Sequence, residues 1–122
     1  MRLNHVNIPV ADVEKSSRFF EEYFGFTCTE VKGNNALAVL KGVDGFVLVL
    51  MSEAFNQGEP IVFPSAFHIG FLLNSRQEVA NQYLQLKEGG IDLPNEPANR
   101  RGIFGFYFTA PGKILVEVSS NE

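Results

Sequence analysis

One layout occurs twice along this chain: a strand, a helix stopped by glycine, then three short strands. The first copy opens with "LNHVNIPVAD", Leu3 to Asp12. There Val6, Ile8 and Val10 alternate with His5, Asn7 and Pro9, the period of a strand with one apolar face. Asp12 is a helix N-cap, since its carboxylate can accept from the free N–H groups of a first turn. A helix is predicted over about Val13 to Phe24, with Val13, Phe20, Tyr23 and Phe24 on or near one face and Gly25 as the stop. Strands are predicted around 27–32, around 36–41 after the turn "GNN", and over 46–51 after "VDG".

The second copy begins at "AFHIGFLL", Ala66 to Leu73. Ser75 with Glu78 forms a capping box for a helix over about Arg76 to Glu88, whose apolar face is Val79, Tyr83 and Leu86. Gly89-Gly90 ends it. Residues 91–96 read as a weak strand interrupted by Pro94, and "GIFGFYF" and "KILVEVS" as firmer ones. "NEPANRRG", Asn95 to Gly102, is predicted to be a mobile loop. The fold class expected is α+β, with two βαβββ modules in a curved mixed sheet and helices on its outer face. At 122 residues the chain is one domain with a single core. Module one covers about 1–53, a linker about 54–65, and module two about 66–122.

Charge narrows the partners. The net charge is −4, and apart from Arg100-Arg101 the ten Lys and Arg are scattered, so no basic face for nucleic acid is expected. The longest apolar run, in "GFVLVLM", is strand-sized, and no membrane partner is expected. A single cysteine, Cys28, and an N-terminus without signal-peptide features point to the cytoplasm. Twelve Phe with no Trp is more than an ordinary core needs, and the surplus suits an apolar pocket for a small molecule.

Three strands carry an odd residue on the face that a helix would not cover. His5 and Asn7 lie opposite Val6, Ile8 and Val10; His68 lies opposite Ile69, Phe71 and Leu73; Glu117 lies opposite Ile114, Val116 and Val118. In one curved sheet, His5, His68 and Glu117 can converge. Two imidazoles and a carboxylate suit one divalent metal ion (Zn, Fe, Mn, Co or Ni) with open positions for water or substrate. A lone strand histidine is more often plain structure, but these are the only two in the chain and hold matching places in the two copies.

With these residues in view, the chain resembles the vicinal oxygen chelate superfamily of glyoxalase I, bleomycin-resistance proteins, fosfomycin-resistance enzymes and extradiol dioxygenases. The resemblance rests on "LNHVNIPVADVEKSSRFFEEYFGF", "FHIGF" and "FYFTAPGKILVEV" and covers nearly the whole chain. It implies paired modules forming a cup, a homodimer, and metal ligands matching His5, His68 and Glu117. Aligning Gly45 with Gly112 sets Leu50 where glyoxalase I carries a further carboxylate, with Phe46 and Leu48 beside it as pocket wall. Asn7 stands where fosfomycin-resistance enzymes have threonine, Tyr107 matches a tyrosine near their site, and Arg100 and Arg101 could meet an anionic substrate. The implied activity is metal-dependent chemistry of a lyase, transferase or dioxygenase on a small oxygen-chelating substrate, with Asn7 and Tyr107 assisting. The alternative is a bleomycin-resistance-like protein that binds its ligand without metal in an aromatic cleft.

Overall fold

The computed structural model describes residues 1–122, arranged as two compact units. Unit 1 comprises Met1–Phe63 with Pro111–Lys113, and unit 2 comprises Pro64–Ala110 with Ile114–Glu122.

Unit 1 runs β1 (His5–Val10), α1 (Val13–Phe24), β2 (Thr27–Lys32), β3 (Leu37–Lys41) and β4 (Val47–Ser52), followed by a 3₁₀ turn at Glu53–Asn56. Its sheet order is β1-β4-β3-β2, with β1 parallel to β4 and the other pairs antiparallel. Asp12 caps α1 as expected, its carboxylate accepting from Lys15 N–H at 3.0 Å. Gly25, at φ 71, turns the chain out in the left-handed conformation that disfavours other residues. The buried face of α1 is Val13, Ser16, Ser17, Phe19 and Phe20, while Tyr23 and Phe24 are half-buried. The stripe keeps Val13 and Phe20 from the expected face and is wider than expected, because Phe19 and two serines, small enough to pack closely, belong to it. The hydroxyl of Ser16 donates to the Pro111 carbonyl at 3.2 Å. Beneath α1 lie Ile8, Val10, Ala38, Leu40, Leu48 and Leu50, all at most 2% exposed. Burying each of the larger aliphatic chains contributes about 1.5–3 kcal/mol.

Unit 2 repeats the plan with β5 (His68–Leu73), α2 (Arg76–Glu88), β6 (Ala98–Arg100), β7 (Ile103–Thr109) and β8 (Leu115–Ser120), in the order β5-β8-β7-β6. Again the first and last strands pair in parallel. Val79, Tyr83 and Leu86 are the buried face of α2, as the sequence predicts. Ser75 Oγ accepts from Glu78 N–H at 3.1 Å, and Glu78 reaches back to Asn74 N–H at 2.7 Å. The twice-repeated βαβββ order and the α+β class are thus as read from the sequence. No helix is long and apolar enough to cross a membrane.

One element lies elsewhere. Residues 91–96 form no strand; β6 is Ala98–Arg100, inside the stretch expected to be a mobile loop. It pairs with β7 through Arg100↔Ile103 and Ala98↔Gly105, and Arg101 and Gly102 close the hairpin at φ 53 and 80. Positive φ at both turn residues suits the twist of a two-residue hairpin, and the glycine at Gly102 is what makes this cheap here.

Gly105 marks the tightest approach in unit 2. A Cβ there would stand 2.4 Å from the Val118 carbonyl and 2.7 Å from Ser119 Cβ, whereas one at Gly70 would meet nothing nearer than 3.6 Å. Gly105→Ala is therefore expected to destabilise by about 1–3 kcal/mol, and Gly70→Ala to change stability by under about 0.5 kcal/mol. Urea unfolding of the two variants beside wild type checks this.

Candidate functional site

In unit 2 the pairing of β5, β8 and β7 sets a row of residues on one face. Gly70 is opposite Glu117, and Glu117 is opposite Tyr107. Paired residues share a face, so His68, two before Gly70, and Ser119, two after Glu117, join them. The other face holds Val116, Val118, Phe106 and Phe108, all buried. Tyr107 donates its phenolic O–H to Glu117 Oε2, and the Ser119 hydroxyl donates to Oε1 at 3.2 Å. Both carboxylate oxygens thus have a hydroxyl donor.

His68 is exposed, and its Nδ1 lies 2.9 Å from the Ala66 carbonyl oxygen. A carbonyl can only accept, so Nδ1 carries the proton and the neutral ring has its lone pair on Nε2. The imidazole also meets the Tyr107 ring edge-on, with centroids 5.4 Å apart and planes at 75°. Tyr107 therefore touches both His68 and Glu117.

In unit 1, His5 and Asn7 are exposed on one face of β1. His5 Nδ1 lies 2.7 Å from Asn4 Oδ1, which again leaves Nε2 as the free lone pair. The parallel partners of His5 and Asn7 on β4 are Val47 and Val49. Leu48 and Leu50 pair with Val6 and Ile8 instead, and lie 2% and 1% exposed under α1. They are core residues and not the pocket wall expected beside His5. Phe46 precedes β4 and is half-buried. The residue of β4 that corresponds to Glu117 is Val49, because Asn7↔Val49 in unit 1 matches Gly70↔Glu117 in unit 2. The connection from Gly112 into β8 is one residue longer than that from Gly45 into β4. Aligning the two glycines therefore slips the register by one, and a slip of one changes face.

Arg100 pairs with Ile103, which alternates with Gly105 and Tyr107 along one face of β7. Arg100 is thus on the same face as Glu117. It is exposed, has no acidic side chain at ion-pair distance, and its charge reaches Tyr107. Arg101 sits in the hairpin turn. No group of three or more His, Cys, Asp and Glu side chains that could hold a metal is assembled. Sequence alternation puts Gly70 beside His68 and Ser119 beside Glu117 on the open face but assigns neither a role, and it gives no sign of the Ala66 carbonyl.

A profile of the Glyoxalase/Bleomycin resistance protein/Dioxygenase superfamily matches residues 2–118. The chain belongs to this superfamily. Among solved structures, a possible glyoxalase from Bacillus cereus is 39% identical, with a TM-score of 0.84 over 97% of each chain. A superfamily enzyme from Burkholderia phytofirmans shares the fold at 17% identity, with a TM-score of 0.82 over the whole of both chains. A virulence protein of Salmonella typhimurium is 26% identical over 97% of this chain and 83% of its own length. Within this superfamily chain, the asymmetry of the two units is notable: one open face carries a carboxylate with two hydroxyl donors, and the other carries valines.

The Tyr107 phenol is held above its ordinary pKa of 10.0, chiefly by its hydrogen bond to Glu117, then by burial and the Glu117 charge; Arg100 opposes this. A raised folded-state value means the folded protein favours the neutral phenol. Its stabilising effect is complete below about pH 10 and is lost as pH climbs through the folded value. Absorbance titration is expected to show one tyrosine ionising at lower pH in Glu117→Gln than in wild type. Superimposable curves would mean that the phenol does not donate to Glu117 in solution.

Proposed function

We propose that the protein is a metal-dependent enzyme of this superfamily, using His5, His68 and Glu117 to hold one divalent ion for a small oxygen-chelating substrate. The observation that carries this reading is the state of the donors. Each histidine has its Nδ1 proton engaged by a neighbouring oxygen, which leaves Nε2 able to coordinate, and Glu117 shares its open face with His68. Oxygen partners on the far nitrogen are the usual outer support of metal-bound histidines. A carboxylate has about four lone-pair sites, so two hydroxyl donors leave Glu117 with capacity to coordinate.

A divalent ion so held supplies Lewis acidity, stabilising negative charge as it develops on a substrate oxygen. The protein's own side chains do the rest. Asn7, beside His5, offers an amide to the substrate, and Val47 and Val49 keep water from that flank. Arg100, a cation without a partner, draws an anionic group toward the face of Glu117; Arg101 lies farther out in the turn. Tyr107 has its proton committed to Glu117, so its first role is to hold that carboxylate and not to donate to substrate. Valine at position 49 supplies no fourth donor or base, which favours reactions other than the proton shuttling of glyoxalase I. The reading includes a homodimer acting in the cytoplasm.

One observation favours a second reading, ligand binding without metal. Glu117 has hydroxyl partners on both oxygens and needs no cation to be satisfied. Elemental analysis of untagged protein decides between them. Wild type is expected to retain about one divalent ion per chain after exposure to Zn, Fe, Mn, Co and Ni in turn, with His5→Ala, His68→Ala and Glu117→Ala each losing most of it. A wild type that retains none would favour the metal-free binder, to be followed by thermal-shift screening of small molecules.

A further inference from the structure

We infer that Tyr107 is a positioning residue with two separable contacts, its hydroxyl fixing the Glu117 carboxylate and its ring fixing the His68 imidazole. The consequence for metal affinity rests on the proposed function; the ordering of the two side chains does not.

The geometry around Glu117 is built for one conformation. On the β7 side the phenolic O–H donates to Oε2, and along its own strand Ser119, only 5% exposed, donates to Oε1. Ser119 can sit there because its partner across the pairing is Gly105, where a Cβ would collide with it at 2.7 Å. Toward β5 the carboxylate meets only Gly70, where even an added Cβ would remain 3.6 Å from Oε1. Glu117 is thus held from two directions and left without a side chain over the third.

His68 has one hydrogen bond, to a backbone carbonyl two residues away, and is otherwise exposed. That bond sets the tautomer but does not by itself set the ring plane. The edge-on Tyr107 ring supplies a second restraint. A phenylalanine would keep this restraint and lose the hydroxyl, so the two contacts can be removed one at a time.

The test measures side-chain χ1 couplings of Glu117 and His68 by NMR in metal-free protein, for wild type, Tyr107→Phe and Tyr107→Leu. In wild type both side chains are expected to hold one rotamer. Tyr107→Phe is expected to set Glu117 averaging between rotamers while His68 stays fixed, and Tyr107→Leu to free both. A general loss of packing would not produce that split. Co(II) titration of the same proteins is expected to show affinity about 10- to 100-fold weaker in Tyr107→Phe and weaker still in Tyr107→Leu, as for loss of an outer partner of a ligand. A Glu117 rotamer that stays fixed in Tyr107→Phe would overturn the inference. Fixed wild-type rotamers and their expected release, in a protein that takes up no Co(II), would support the positioning role and count against the metal enzyme. Unchanged Co(II) affinity despite a freed Glu117 would overturn the link between positioning and binding.

Discussion

The parallel pairing of the first strand of each unit with its last is the constraint on which the candidate site depends. It joins strands from opposite ends of a βαβββ segment, so that a residue early in the segment shares a face with one near its end. In unit 2 it sets Gly70 beside Glu117; in unit 1 it sets Asn7 beside Val49. The helix of each unit, α1 or α2, covers the opposite face, where Ile8, Leu48 and Leu50, or Val116 and Val118, are buried. Because alternation leaves only two faces, apolar burial on one fixes which residues stay open on the other. The exposed histidines are therefore a consequence of where the valines and isoleucines go.

That coupling explains what could be read from the sequence. The apolar alternation of β1 is clear, and in β5 and β8 Ile69, Phe71, Val116 and Val118 still mark one face although Leu72 and Leu115 lie on the other, so the faces assigned to His5, His68 and Glu117 follow from it. Two readings failed for local reasons, and a third, the stripe of α1, was incomplete. In β4, "VLVLMS" is apolar on both faces, so periodicity could not say which residues were core, and the glycine alignment chose the wrong set. In α1 the buried stripe includes Ser16 and Ser17, which a hydropathy pattern counts as polar. The second strand of module two is three residues of Ala, Asn and Arg beside two prolines, with no strand propensity to notice. Its pairing with β7, and not its composition, makes it a strand.

The electrostatics of Glu117 were only half legible. A lone carboxylate in an apolar strand signals that something must compensate it, since an unsatisfied buried charge is costly. The compensation comes from neutral donors, Tyr107 and Ser119. Hydrogen bonds to an ionised group contribute about 1.5–3 kcal/mol each, enough to keep a half-buried carboxylate in place without a cation. Alternation sets Ser119 on the face of Glu117, but its hydrogen bond depends on Gly105, which lets β7 approach closely enough to leave the serine buried.

The two units use the same topology to present different chemistry. Unit 1 offers an imidazole and an amide against valines; unit 2 offers an imidazole and a carboxylate against a phenol, with an unpaired arginine on the same face. A repeated topology leaves each open face free to carry its own residues, because the helix-covered cores carry the packing. Valine at position 49 of β4 is not part of the helix-covered core, so that position is free to carry other residues without loss of core packing. The same independence means that the carboxylate of unit 2 must be held by its own neighbours, and this makes Tyr107 and Ser119 more than incidental. A glutamate side chain is flexible and loses substantial rotamer entropy when fixed. Two hydroxyl donors meet that cost in the folded protein before any ligand arrives, so a ligand that binds Glu117 need not spend its own interaction energy to order it.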